Sequence, residues 1–155
     1  SLDLDVNGRG FLTETIDTEV KGDIYALNYN NYNYNKTQVS GKIQNKIFDG
    51  ILLVNDDNLK LKFNGLIDYS ETINKYDFEA EVDYADLNTL NFVKKDSISI
   101  FKSTVNMNMN SSSLDDAYGR ITFRNTSYKN ENDTYNFKSF YHRRNFYLIW
   151  TLKFF

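Results

Sequence analysis

Cysteine and proline are absent from this 155-residue chain, and histidine occurs once, as His142. Without cysteine there are no disulfides, no thiol nucleophile and no zinc–thiolate site. A single histidine cannot build a multi-histidine metal centre, and it leaves most histidine-based acid–base catalysis without its usual residue. No run of 18 apolar residues occurs, so no segment reads as a membrane-spanning helix. Neither sign of charge dominates: Lys+Arg 18 stand against Asp+Glu 21, scattered along the chain, for a net charge of -3. A nucleic-acid binder normally shows a clustered basic surplus, which is missing here.

What the chain has in abundance is Asn, Tyr and Phe, with 12 Tyr and 12 Phe among the residues and aromatics at 16%. Alanine occurs only four times. Few alanines and many aromatic and β-branched residues point to a β protein rather than a helical one. The Asn excess and the missing proline are accounted for by the codons of an AT-rich genome.

Two-residue alternation runs through most of the chain. From Leu59 to Ile67 the odd positions are Leu59, Leu61, Phe63, Gly65 and Ile67, against Lys60, Lys62, Asn64 and Leu66. From Tyr76 to Tyr84 the series Tyr76, Phe78, Ala80, Val82, Tyr84 alternates with Asp77, Glu79, Glu81 and Asp83. That period belongs to a strand with one buried and one solvated face.

An antiparallel hairpin pairs residues whose numbers have a constant sum, so candidate turns fix registers. A turn on Glu71-Thr72 sets Leu61 against Val82, Phe63 against Ala80, Gly65 against Phe78 and Ile67 against Tyr76. It also sets Lys62 against Glu81 and Lys60 against Asp83, so opposite charges meet on the outer face. A turn on Asp56-Asp57 pairs Val54 with Leu59, Leu52 with Leu61 and Phe48 with Gly65. One on Asn45-Lys46 pairs Ile43 with Phe48 and Val39 with Leu52. One on Asn30-Asn31, residues that tolerate positive φ, pairs Tyr29 with Tyr32 and Leu27 with Tyr34. A parity change between Tyr34 and Val39 predicts a β-bulge near Asn35–Thr37. Farther on, Val105, Met107 and Met109 alternate with asparagines, and Gly119, Ile121 and Phe123 with Arg120, Thr122 and Arg124. Residues 86–97 are irregular and read as a loop or a short helical turn.

The expected fold is all-β: an antiparallel meander curled into an elongated open groove, with a closed barrel or a sandwich as alternatives. A one-sided sheet must cover its apolar face, and the sequence offers no amphipathic helix to do it. A trough left open has a driving force of about 25 cal/mol per Å² to take up apolar material such as acyl chains.

One motif matches a calcium loop: Asp3, Asp5 and Asn7, with Gly8 and then Glu14, fit the D-x-[DN]-x-[DN]-G-x5-E pattern. Against it, Leu2, Leu4 and Val6 alternate with those same acids as in a strand ending in an Asn-Gly turn. The carboxylates Asp77, Glu79, Glu81 and Asp83 share one strand face matched by lysines, and no catalytic pairing is expected of them. The segment 141–155 has no acidic residue and holds the only His and Trp. It fits an amphipathic strand, a terminal strand of an outer-membrane barrel, or out-of-frame translation.

The stretches LDLDVNGRGF, FDGILLVNDDNLKLKFNGLIDYSE, YDFEAEVDYADLNTLNF and LDDAYGRITFRNTSY resemble the TamB (translocation and assembly module, AsmA-like) family, of the type found in Bacteroidetes, over residues 1–140. The resemblance implies a β-taco fold, an inner-membrane-anchored periplasmic protein reaching the outer membrane, and no enzymatic activity or cofactor. It implies phospholipid as cargo and an Omp85-type outer-membrane barrel as partner, in lipid transport and outer-membrane protein assembly. The chain would then be an internal or truncated segment of such a protein, with 141–155 as an atypical tail. The groove lining maps onto the inward positions: Leu4, Val6, Leu27, Tyr29, Val39, Ile43, Phe48, Leu52 and Val54, then Leu59, Leu61, Phe63, Ile67, Tyr76, Phe78 and Val82, then Val105, Met107, Ile121 and Phe123. An outer-membrane barrel fragment and a surface β-domain binding calcium or glycan are the competing functions.

Overall fold

The computed structural model describes residues 2–9, 17–24, 27–112 and 116–143. Its strands are β1 (Leu2–Arg9), β2 (Asp17–Ile24), β3 (Leu27–Tyr29), β4 (Tyr32–Tyr34), β5 (Thr37–Gln44), β6 (Ile47–Asn55), β7 (Leu59–Asp68), β8 (Asn74–Asp86), β9 (Ile100–Ser111), β10 (Tyr118–Lys129) and β11 (Thr134–Arg143). Nine of them form one antiparallel sheet in the order β1-β2-β5-β6-β7-β8-β9-β10-β11, and β3-β4 form a separate hairpin. Among the described residues no pairing joins β1 to β11 and no helix occurs. The fold is therefore the expected open, curled meander, neither a closed barrel nor a sandwich.

The registers place the apolar residues in rows that cross the sheet. One row runs Ile43, Phe48, Ile67, Tyr76, Met109. The next runs Gly41, Gly50, Gly65, Phe78, Met107, Ile121, and the one after it Val39, Leu52, Phe63, Ala80, Val105, Phe123. A fourth runs Thr37, Val54, Leu61, Val82, Ser103. On the first strands, Val6 lies opposite Val20 and Leu4 opposite Gly22, continuing the same rows. Alternation in nine separate strands thus converges on one face.

The turns on Glu71-Thr72, Asn45-Lys46 and Asn30-Asn31 give the pairings their residues predict. Asn45, Lys46, Asn30 and Asn31 all have positive φ (47°, 66°, 52° and 59°), the geometry of a two-residue turn whose twist suits a hairpin. Three expectations need correction. The β6–β7 register is displaced by two residues: Val54 pairs with Leu61 rather than Leu59, Leu52 with Phe63, and Phe48 with Ile67. The cause is Asp56, whose side chain turns inward and is 2% exposed, so the loop is longer than a minimal turn. A shift of two leaves every side chain on its original face. Secondly, an irregularity between Lys60 and Leu61 sets Lys60 opposite Tyr84, not Asp83, and the Lys60 amine donates to Asn55 Oδ1 at 2.8 Å.

The third correction concerns Leu27 and Tyr29. They do not continue the large sheet, because β2 pairs directly with β5 (Ile24 opposite Thr37) and the β3–β4 hairpin is looped out of it. In place of a bulge near Asn35–Thr37 the chain steps back into the sheet through Lys36, at φ 51°. Bulges occur instead between Val82 and Ala85 and between Arg124 and Ser127. The latter contains Asn125 at φ 51°.

Gly41, Gly50 and Gly65 stand side by side on three neighbouring strands. A Cβ on Gly41 would lie 2.5 Å from the Asp49 carbonyl oxygen, and one on Gly50 2.5 Å from that of Ser40. Gly65, at φ +143°, leaves still less room beneath Phe78. The row lets three backbones approach more closely than side chains would allow. The Phe48, Phe63 and Phe78 rings lie beside it, with centroids 6.1 Å and 4.9 Å apart in sequence. Gly65→Ala is expected to cost roughly 2–4 kcal/mol in urea unfolding, whereas Ile51→Thr on the exposed outer face stays within about 0.5 kcal/mol. Equal losses would show that the glycine row carries no structural weight.

Candidate functional site: an apolar trough under a crossing belt

Among the described residues the inner face carries its larger covering at one end. The β3–β4 hairpin and the 87–99 loop fold onto it, so that Tyr34 and Leu90 join Val54 and Ala85 in a buried cluster flanked by Leu52, Leu59, Leu61, Val82 and Phe101. Leu90 is 1% exposed. The two covering segments hold each other: Asn30 donates through Nδ2 to the Leu90 carbonyl at 3.1 Å, and Asn91 through Nδ2 to the Asn30 carbonyl at 3.1 Å. The 87–99 loop begins with one helical turn, Leu90 N–H to Asp86 O at 2.9 Å, and Asp86 accepts from the Asn88 and Thr89 amides and the Thr89 hydroxyl. It ends where the Glu131 carboxylate accepts from the Ser97 hydroxyl at 2.6 Å and from the amides of Ser97 and Ile98. Those bonds, the Ser97 hydroxyl first, pull the Glu131 carboxyl down to about 2. Hairpin, loop and the β10–β11 turn therefore form a belt that runs from the β5–β6 side of the sheet to the β10–β11 side.

The hairpin end of the belt is fastened by Asp56. Its carboxylate accepts from the Tyr32 hydroxyl at 2.5 Å, the Asn35 amide at 2.9 Å and the Asn58 amide at 2.9 Å. Burial pushes the Asp56 carboxyl up, but these hydrogen bonds outweigh it and hold the group below the usual carboxylate range. Burial and the same carboxylate push the Tyr32 phenol up. At the loop end, Tyr128 bridges Ser99 at 2.9 Å and Asp96 at 2.8 Å.

The belt divides the sequence-predicted lining in two. Val54, Leu59, Leu61 and Val82 belong to the packed cluster beneath it. Outside the belt lie Val39, Ile43, Phe48, Ile67, Tyr76, Phe78, Val105, Met107 and Phe123, all half-buried. Phe63 and Ile121 are buried between them, and Ala117 packs on Ile121 with Val105, Met107, Met109 and Phe123 around it. Leu27 and Tyr29 line nothing: they sit on the outer strand of the hairpin, 40% and 62% exposed. The open remainder, the trough, is a strip of apolar surface that carries the Phe48–Phe63–Phe78 rings.

The outer face is polar and cross-braced by exposed ion pairs, Lys42–Asp17 at 2.8 Å, Lys62–Glu81 at 3.5 Å and Arg124–Glu79 at 2.9 Å. Each is worth well under about 1 kcal/mol, so they select the solvent side more than they stabilise it. Glu79 and Glu81 are thus spoken for by cations. The calcium reading does not fit the backbone: Asp3, Asp5 and Asn7 lie in the extended, paired strand β1, where alternate residues are about 6.6 Å apart and cannot wrap one ion. Glu14 lies outside the described residues. Tyr141–Arg143 complete β11, with His142 opposite Ile121, and residues 144–155 of the tail lie outside the described residues.

The belt is what sequence reasoning missed. Its signals were present, in the Asn30-Asn31 turn, the irregular 86–97 segment and the Asp56-Asp57 pair, but nothing local says that these three meet. Comparison of the chain with protein-family models, curated proteins and solved structures gives no match.

Asp56 ties belt stability to pH. A folded-state pKa below the unfolded value contributes stability that is complete above about pH 4 and is lost as pH falls through the folded value. Asp56→Asn should therefore flatten the acid limb of a stability–pH curve recorded by thermal melts, while unchanged acid dependence would remove Asp56 from the account. Asp56→Ala, which orphans the Tyr32 hydroxyl and two amides, should cost about 2–3 kcal/mol. Conversely, the Thr37 hydroxyl is fully buried with no hydrogen-bond partner among the described residues. Thr37→Val is expected to raise stability by about 1 kcal/mol in the same melts, since it removes an unpaired polar atom at nearly constant volume.

Proposed function

We propose that this chain is a segment of a periplasmic, inner-membrane-anchored lipid carrier of the TamB type, which passes phospholipid toward the outer membrane with its acyl chains in the trough. One observation carries this reading: the apolar rows continue across the strands of an open sheet, and among the described residues much of that face stays half-buried outside the belt. At about 25 cal/mol per Å², the half-exposed Phe48, Phe78, Val105 and Met107 favour any flexible apolar ligand that can lie along them. Acyl chains match this need because they bring no polar group that the lining would have to satisfy. The polar outer face suits an aqueous compartment on that side.

The role is one of binding and passage, without a chemical step. The family resemblance supplies the remaining parts of the reading, an Omp85-type barrel as partner and a contribution to outer-membrane protein assembly. A second inference concerns the lining itself: the cargo meets Val39, Ile43, Phe48, Ile67, Tyr76, Phe78, Val105, Met107 and Phe123, while Leu61 and Val82 serve the fold beneath the belt.

Photo-crosslinking in a Gram-negative host separates the possibilities. Probes at Phe48, Phe78 and Met107 are expected to yield phospholipid adducts, and probes at Lys62 and Glu81 on the outer face none. Adducts on neither set would mean that the trough is dry, and adducts on both sets equally would mean that the chain meets lipid without a groove.

A further inference from the structure

The belt beside the trough carries an exposed apolar tip. Tyr29 and Phe92, from its two different segments, are 62% and 54% exposed, yet their rings are only 6.4 Å apart. Leu27, two residues before Tyr29 on the same strand, is 40% exposed. Lys94 and Lys95 follow Phe92 after Val93, are exposed, and form no ion pair with a described residue. The carboxylates of the same segments are directed elsewhere: Asp96 accepts from the Tyr128 hydroxyl, Glu131 from Ser97 and Ile98, and Asp56 from the hairpin.

We propose that the Leu27–Tyr29–Phe92 tip, with Lys94 and Lys95 beside it, docks the belt onto an anionic lipid bilayer. Tyr and Phe on a projecting turn have the amphipathic character that favours the headgroup boundary, and lysines beside them are attracted to anionic lipid. The turns themselves suit that depth, since Asn30 and Asn91 satisfy backbone carbonyls of the opposite segment and leave fewer polar groups to strip of water. A second copy of the chain fits less well. Three side chains cannot supply the roughly 800 Å² per partner that a stable protein interface buries, whereas a bilayer sets no such requirement. Docking would bring the trough and the bilayer together, and for that purpose the inference rests on the acyl-carrying reading.

The test is co-sedimentation of the whole chain with vesicles of phosphatidylcholine alone or of phosphatidylcholine with phosphatidylglycerol. The chain is expected to pellet with the anionic vesicles, more weakly as salt rises. The double variant Tyr29→Ser, Phe92→Ser should bind at least about tenfold less, and Lys94→Ser and Lys95→Ser on the order of fivefold less each at low salt. All four positions are exposed, and far-UV circular dichroism checks that the sheet is kept. No binding of the wild-type chain, or undiminished binding of the Tyr29→Ser, Phe92→Ser variant, overturns the inference. Uptake of a fluorescent fatty acid by the wild-type chain without vesicles reports on the trough separately. Uptake with no vesicle binding overturns docking and leaves the trough reading standing, and tip-dependent vesicle binding without uptake supports docking and removes the trough reading.

Discussion

The close approach of three backbones at Gly41, Gly50 and Gly65 is the constraint on which the rest of this structure depends. A β-sheet of nine strands with most of its apolar residues on one side has to hide or use that side. A row without Cβ atoms lets neighbouring strands come closer there than side chains would allow. Beside that row Phe48, Phe63 and Phe78, from three different strands, meet in one aromatic floor. It therefore turns a collection of half-buried residues into a continuous surface, and the candidate site is that surface.

Covering the face at one end required a second device, because a meander by itself has nothing to spare for a roof. The chain makes one from two excursions, the β3–β4 hairpin and the 87–99 loop, and locks them with side-chain amides and carboxylates. Asn30, Asn91, Asp56 and Glu131 do in the loops what apolar packing does in the sheet. The asparagines join segments 60 and 61 residues apart, Asp56 bridges 24 and Glu131 34, and together they fix a fold feature whose energetics are polar and so sensitive to pH where a carboxylate is the acceptor. The two devices divide the inner face into a packed part and an exposed part, and that division decides which apolar residues are structural and which are available to a ligand.

Most of the sheet was legible in the sequence because alternation and hairpin arithmetic are local. Asn45-Lys46 and Glu71-Thr72 sit midway between complementary strands, and pairing sums alone give Ile43 opposite Phe48 and Phe63 opposite Ala80. Local reasoning failed where a long-range hydrogen bond overrode it. The Asp56-Asp57 pair looks like a tight turn, but Asp56 turns inward to bind Tyr32, and the β6–β7 pairing moves by two residues. The Leu27–Tyr34 hairpin has correct internal pairing but lies outside the main sheet, because strand alternation says which residues share a face and not which sheet they join. The trough was legible only as a row of inward residues. That Leu61 and Val82 would lie beneath a belt while Phe78 stays open depends on contacts no periodicity encodes.

One property of the strand order reaches further. Apart from the step over the β3–β4 hairpin, each strand of the large sheet pairs with its immediate neighbours in the chain, so nearly all contacts are between adjacent hairpins. Such a sheet behaves as a one-dimensional array, where stability accumulates from nearest-neighbour interfaces and ordering can spread from any hairpin. Adding or deleting a whole hairpin shifts the later strands without changing which face they present, since two strands restore both direction and parity. The length of this trough is thus an independently adjustable quantity, open to change by duplication of a strand pair while its cross-section stays the same.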